Sequence, residues 1–429
     1  MKIFHMGDWH IGKLVNGFYM TEDQEFIINQ LYDEIEKEEP DVLIIAGDLY
    51  DRSVPPVQAV ELLNKVLKKI VVDLKTPIIA IAGNHDSNER LGFGSELLKS
   101  SGLYIKGTLS KEVEKITLRD KFGEVDFYPI PYLDPPIVRD LYEDESIKTH
   151  DDAMKKIVEN IREHMDKEKR NVSIAHGYIT YTRGSEEEAE SEESHVDSLE
   201  GIGNQEENTA RRDDSKEKSN EPVIEELEKS DSEKPLSIGG TEVINADYFR
   251  DFNYTALGHL HGPQKVGSDR IRYSGSLMKY SFSEIKQKKG ITIVNLDEAG
   301  NVKVDFHGFK HRRDFRIVTG ELQDIVSGNI GDTGNKEDYI KVELKDKGEL
   351  VDPMAKLRSV YPNVMELIRS DRVKSNGDGR IVATNVKERS KISLFESFYE
   401  DITGESCEEE YMSVMRDVIE KCERGGIEE

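Results

Sequence analysis

Five short motifs in this sequence set Asp, His or Asn beside glycine: Gly7-Asp8-Trp9-His10, Gly47-Asp48, Gly83-Asn84-His85-Asp86, His176-Gly177 and Gly258-His259-Leu260-His261. These are the oxygen and nitrogen donors of a metal centre. Mixed imidazole and carboxylate ligation suits a borderline transition ion such as Mn, Fe or Zn, whereas Ca and Mg prefer oxygen alone. The seven candidate ligands Asp8, His10, Asp48, Asn84, His176, His259 and His261 are too many for one such ion. Two divalent metal ions about 3.5 to 4 Å apart, sharing a bridging carboxylate, would use them all and suit in-line hydrolysis at phosphorus. Glycine beside a ligand permits the tight turn and close backbone approach that such a centre needs. The two-residue spacing of Asp8 and His10, and of His259 and His261, sends both side chains to one side of an extended segment.

A single Asp or His of this kind is more often a turn residue. The five motifs read as one site because each follows an apolar run: 3–6, 42–46, 78–82, 172–175 and 253–257. With helices expected over 23–38 and 57–72, the first three runs make a βαβαβ unit. The strands of such a unit end together, and ligands bind at the loops beyond their carboxyl ends. Further strands are expected near 103–105, 115–118 and 125–130, with a helix over 151–167. The domain is expected to resume at 253–257, with segments 271–274, 291–295 and 302–306 closing it as antiparallel structure. The fold class is therefore α/β, with sheet packed on sheet.

At 429 residues the chain is longer than one typical domain. The expected layout is a catalytic domain over 1–310, a small α+β domain over 311–371, a polar linker over 372–389 and C-terminal helices over 390–429. In the last part Tyr411, Met415, Val418 and Cys422 fall on one helical stripe, a docking candidate. Segment 186–234 has 19 acidic and 6 basic residues and no Phe, Trp or Tyr, so it is expected to be a disordered acidic insert. It carries −13 of the net charge of −27. That balance works against binding nucleic acid, because affinity for DNA comes from neutralising phosphates with Lys and Arg. Bound dications would offset part of the deficit at the site. The cysteines, Cys407 and Cys422, make no disulfide framework, and no apolar run reaches the length of a spanning helix. A soluble cytoplasmic protein without a cleaved leader is expected.

With these residues in place, the sequence resembles the calcineurin-like metallophosphoesterases and, within them, the SbcD family of bacterial nuclease subunits. The likeness is carried by Asp8-Trp9-His10-Ile11-Gly12-Lys13, by Gly47-Asp48-Leu49-Tyr50-Asp51-Arg52 with Pro55-Pro56, and by Tyr178 with Arg183-Gly184-Ser185. It continues through Gly258-His259-Leu260-His261-Gly262-Pro263-Gln264, Tyr273-Ser274-Gly275-Ser276 and Lys279-Tyr280-Ser281-Phe282.

The resemblance implies a calcineurin-like metallophosphoesterase β-sandwich flanked by helices, with a small α+β capping domain and C-terminal helices. It assigns Asp8, His10, Asp48 and His261 to one ion, most simply Mn2+, and Asp48, Asn84, His176 and His259 to a second, with Asp48 bridging. It makes His85 the catalytic histidine that protonates the leaving oxygen, a task that suits an imidazole. The activity implied is exonuclease on double-stranded DNA ends and endonuclease on single strands or hairpins. The partners implied are an SbcC-like ATPase that gates cleavage with ATP, and a second copy of the chain within a heterotetramer.

Two features depart from relatives. Asp51 stands where archaeal and eukaryotic members carry a second histidine. The acidic insert separates Ser185 from 235–242, which the family joins by a shorter connection. Superfamily motifs alone also fit a phosphoesterase acting on a nucleotide, phosphoprotein or other small phosphodiester. A non-catalytic DNA-end scaffold is the remaining alternative.

Overall fold

In the computed structural model the described residues are 1–183, 223–224, 227–234, 236, 242–330, 334–369, 395, 399, 411–412 and 414–416. The β-branched runs near the N-terminus form strands Lys2–Met6, Val42–Ala46 and Ile78–Ile81, which pair in parallel with each other and with Leu103–Lys106. Gly290–Leu296 and Val302–Gly308 complete this six-stranded sheet on the other side of Lys2–Met6, antiparallel. Between the strands, helix Thr21–Glu38 buries Gln24, Ile27, Ile28, Leu31 and Ile35, the 3.6-residue stripe of a helix lying on a sheet. It stops at Glu39, whose left-handed conformation (φ 47°) closes the last turn.

The second six-stranded sheet runs Gln264–Val266, Ser268–Tyr273, Tyr254–Gly258, Arg170–His176, Gly123–Pro129, Ile116–Asp120. Here the expected antiparallel closure is only partly found. Ser268–Tyr273 pairs in parallel with Tyr254–Gly258, itself parallel to Arg170–His176, and antiparallel with Gln264–Val266, whereas Gly290–Leu296 is antiparallel to both Lys2–Met6 and Val302–Gly308. All five residues of Tyr254–Gly258 are buried, as in a strand covered on both faces, and burial of that kind leaves the direction of its neighbours to the tertiary pairing.

Between the sheets lies a dry core of Ile3, Val42, Ile44, Ile79, Ile81, Phe127, Val172, Ile174, Tyr254 and Val294. Each such side chain contributes about 1.5–3 kcal/mol by leaving water. A second cluster under helix His150–His164 covers the outer face of the other sheet. That helix opens with a capping box, Thr149 accepting from the Asp152 backbone while the Asp152 carboxylate accepts from the Thr149 backbone. The two sheets thus hold their strand ends rigidly, and the motif loops emerge from them.

The chain divides into two compact units, the first made of 1–316 and 337–339 and the second of 317–336 and 340–429. All but the first residues of Phe315–Gly320 and Tyr339–Leu344 fall in the second unit, where they form a three-stranded sheet with Val364–Arg369, beside helices Leu322–Ser327 and Pro353–Arg358. The core of that unit is Val318, Leu322, Ile325, Ile340, Val342, Leu344, Leu357, Tyr361 and Val364. The linker expected over 372–389 lies outside the described residues. So do the C-terminal helices over 390–429, apart from the helical positions 395, 399, 411–412 and 414–416. No helix among the described residues is long and apolar enough to cross a membrane.

Of the expected disordered insert 186–234, residues 227–234 are instead described, and Val223–Ile224 pairs with Thr182–Arg183. A few specific bonds tie this end to the domain. Leu227 packs on the outer core, and the Gln287 amide donates to the Ser230 hydroxyl at 3.2 Å.

Candidate metal centre

The motif loops are fastened to one another before any ligand is considered. Asp8 N–H donates to the Gly47 carbonyl (3.0 Å), His10 N–H to the Asp48 carbonyl (2.9 Å) and Ile11 N–H to the Leu49 carbonyl (2.9 Å). The Asp86 carboxylate accepts from the backbone N–H groups of Gly83 (3.0 Å), Leu49 (3.1 Å) and Tyr50 (2.9 Å), tying the third motif to the second. Asp8, His10, Asp48 and His259 all lie at positive φ (50°, 46°, 51° and 107°). Non-glycine residues reach that region at a cost of about 1–3 kcal/mol each, and such strain gathers at functional sites where surrounding bonds enforce it.

The side chains converge. His10 Nε2 lies 3.1 Å from His261 Nε2, and Asp48 Oδ2 lies 3.6 Å from both His10 Nε2 and His176 Nε2. His176 Nδ1 donates to the Ala46 carbonyl (2.9 Å), which leaves Nε2 with its lone pair 2.9 Å from Asn84 Oδ1. Two groups have all donor atoms within 4.8 Å of one another: Asp8, His10 and His261, and Asp8, Asp48 and His176. His259 stands beside His176 with ring centroids 5.6 Å apart, and its backbone N–H donates to the Asp8 carboxylate (2.9 Å). Asp48 Oδ2 thus lies between the His10 side and the His176 side of the cluster.

His85 is half-buried at the edge of this cluster. Its ring packs edge-on against His10, centroids 4.6 Å apart, and its Nδ1 is held by the Asp51 carbonyl. A third group, His10, Asp51 and His85, also brings its donor atoms within 4.8 Å.

Electrostatics point to cations. Burial, and after it the nearby Asp48 charge, pushes the Asp8 carboxyl well above its usual range. Burial holds His10 and His259 well below neutrality, with Lys13 reinforcing this at His10 and His176 at His259. Burial lowers His176 and His261 as well, against the opposing pull of Asp48 and Glu284 respectively. The imidazoles are thus neutral, the form in which they ligate, while two close carboxylates wait for positive charge. His10 Nδ1 is buried and has no hydrogen-bond partner among the described residues. The donor set therefore fits two divalent ions.

Residues 1–263 match the family of the calcineurin-like phosphoesterases. The chain belongs to that family. The phosphoesterase is also 32% identical over 405 residues to a curated Staphylococcus epidermidis protein, named as the D subunit of the nuclease SbcCD, covering 94% of each chain, which makes it an SbcD homologue. Residues 311–403 match a second family, the Type 5 capsule protein repressor C-terminal domain. The crystal structure of TT1561 of Thermus thermophilus aligns with a TM-score of 0.34 at 9% identity, over 71% of this chain and 98% of that one. The α/β fold and the hydrolase class expected from the resemblance are those of the family found. The chain is a phosphoesterase, a hydrolase acting on phosphate ester bonds.

Several residues of the phosphoesterase site escaped the motif reading. Gln24, on helix Thr21–Glu38, donates to the His10 carbonyl (2.8 Å) and accepts from Gly12 N–H (3.1 Å), pinning the first loop; its only sequence signal is a polar residue on an apolar stripe. Tyr280, which entered only through the family likeness, also holds this loop, donating to the Trp9 carbonyl (2.5 Å). Ser232, Glu233, Glu284 and Lys289 surround His261, and nothing local in the sequence marks them. His5 is a buried core residue between Tyr254 Oη and the Leu257 carbonyl, as expected of a sheet-face histidine. His307 pairs with Glu34, and His195 lies outside the described residues.

Proposed function

We propose that this phosphoesterase is the nuclease subunit of an SbcCD-like complex. It would hydrolyse phosphodiester bonds at DNA double-strand ends and hairpins in the cytoplasm, with two Mn2+ ions and an ATP-gated, SbcC-like ATPase as partner. The observation that carries the reading is Asp48 Oδ2 lying 3.6 Å from the Nε2 atoms of both His10 and His176, a carboxylate set to serve two cations. The likeness over 94% of both chains to a protein named as the D subunit of the nuclease SbcCD supports the substrate and the partner.

Asp8, His10, Asp48 and His261 would hold one ion, and Asp48, Asn84, His176 and His259 the other. When bound, the ions supply Lewis-acid stabilisation of the charge that builds on the phosphate. The chain's own residues do the rest. The Asp51 carbonyl takes Nδ1–H of His85, so a protonated His85 presents Nε2–H alone to the departing sugar oxygen. A homodimer within the complex follows from the family resemblance.

The test is cleavage of a DNA hairpin and of bis-p-nitrophenyl phosphate by the full chain with Mn2+, with and without an SbcC-like partner and ATP. Hairpin cleavage that disappears in Asp48→Ala supports the reading. Turnover of the small ester without any DNA cleavage moves the substrate to a small phosphodiester. DNA-end binding with no hydrolysis of either makes the protein a scaffold.

A further inference from the structure

His261 is held from every side by residues outside the metal motifs. Its backbone N–H donates to Glu233 Oε1 (2.7 Å), and its carbonyl accepts from Lys289 Nζ (2.7 Å). Its ring nitrogen Nδ1 lies 2.7 Å from the Ser232 hydroxyl, with Glu284 Oε1 3.5 Å away. The Ser232 hydroxyl is in turn bonded to Glu284 Oε1, and the other Glu284 oxygen pairs with Lys289 Nζ at 2.6 Å. Glu284 and Lys289 are both fully buried.

The proton positions follow from counting donors. A carboxylate paired with an ammonium group only accepts, so the single hydroxyl hydrogen of Ser232 goes to Glu284. The Ser232 oxygen then has only lone pairs to offer, and Nδ1 of His261 must be the donor. A neutral imidazole with its hydrogen on Nδ1 presents an unprotonated Nε2, the atom that points at His10 Nε2 3.1 Å away. We propose that Ser232 and Glu284 are positioning residues for His261, fixing the ring orientation and the tautomer that binds metal. Ser232 and Glu233 belong to the end of the acidic segment, so this end of the insert is part of the site's supporting layer rather than a passive connection. Carboxylate partners of this kind behind a ligating histidine typically raise metal affinity 10- to 100-fold.

This inference rests on the reading of the site as a metal centre, and its test separates the two. Mn2+ alone is titrated by calorimetry into the full-length chain, its Ser232→Ala variant and its Ser232→Thr variant, beside thermal unfolding of each metal-free protein. Ser232 is half-buried, so its truncation leaves the buried Glu284–Lys289 pair intact. The expected result is that Ser232→Ala weakens one of two Mn2+ affinities by about 10- to 100-fold, leaves the other and the unfolding midpoint unchanged, and is rescued by the hydroxyl of Ser232→Thr. Affinities that stay within about twofold of the parent in a folded Ser232→Ala protein overturn the positioning role alone. Equal loss of both affinities together with a lowered midpoint also overturns it, by making Ser232 a general structural residue. A parent protein that takes up no Mn2+ overturns the metal-centre reading, and the proposal with it.

Discussion

Asp51 serves His85 through its backbone and His10 through its side chain. The Asp51 carbonyl oxygen is 2.8 Å from His85 Nδ1, while its carboxylate pairs with Lys13 at 2.8 Å and lies 3.7 Å from the unpartnered His10 Nδ1. Main-chain orientation of His85 survives replacement of the Asp51 side chain, and this separates two kinds of defect.

His85→Gln removes the proton donor but none of the proposed ligands. Hairpin cleavage under single-turnover conditions should fall by about 10²–10⁴-fold, with Mn2+ content unchanged. Asp51→Ala, which keeps the carbonyl but frees Lys13 beside His10, should lose less activity and show weaker Mn2+ binding. Metal loss in His85→Gln would contradict its placement outside the ligand set.

Asp86 binds three backbone N–H groups with one carboxylate. In Asp86→Ala those donors are stranded in the interior, each at about 1–3 kcal/mol. A loss of at least about 2 kcal/mol in urea unfolding of the metal-free protein is expected, together with loss of Mn2+ uptake as the loops carrying Asp48 and Asn84 separate. Unfolding that matches the parent would show that water replaces the carboxylate.

Gly83 permits a close approach between two of the motif loops. A Cβ there would sit 2.2 Å from Asp48 Oδ1 and 2.4 Å from the Asp48 backbone nitrogen, and the backbone cannot yield. Gly83→Ala should therefore displace Asp48 and abolish metal uptake, as read by elemental analysis after dialysis against Mn2+. A variant that still binds two ions would mean that the third loop can move away.

His5 gives the fold a pH dependence. Burial lowers its pKa from 6.5 to about 3, in part against the Leu257 carbonyl. Between those values the unfolded chain binds a proton that the folded one refuses, so stability rises with pH across that window. The contribution is fully present above 6.5 and is lost as pH falls toward 3. Each unit of displacement corresponds to about 1.4 kcal/mol. His5→Asn should flatten the slope of unfolding free energy against pH between 6.5 and 4; an unchanged slope would assign the acid sensitivity to other groups.

The first three strands and the donors that follow them were legible because they are local. An apolar run of four or five residues next to glycine and a ligand type signals a strand ending in a tight turn, wherever the strand lies in the sheet. Asp8, His10, Asp48, Asn84, His176, His259 and His261 were proposed as ligands on that pattern, and His85 as the catalytic histidine on the family resemblance. Tertiary structure alone decided the pairing of Tyr254–Gly258, since parallel and antiparallel partners bury the same apolar residues. It also decided the layer behind the ligands. Gln24, Ser232, Glu284 and Lys289 act through bonds to His10, Gly12 and His261, residues 12 to 29 positions away, and a polar residue carries no local mark of the partner it will meet. Composition placed Ser232 and Glu233 in an acidic insert expected to be disordered: charge density describes a segment on average, whereas hydrogen bonds to one buried histidine depend on the tertiary structure.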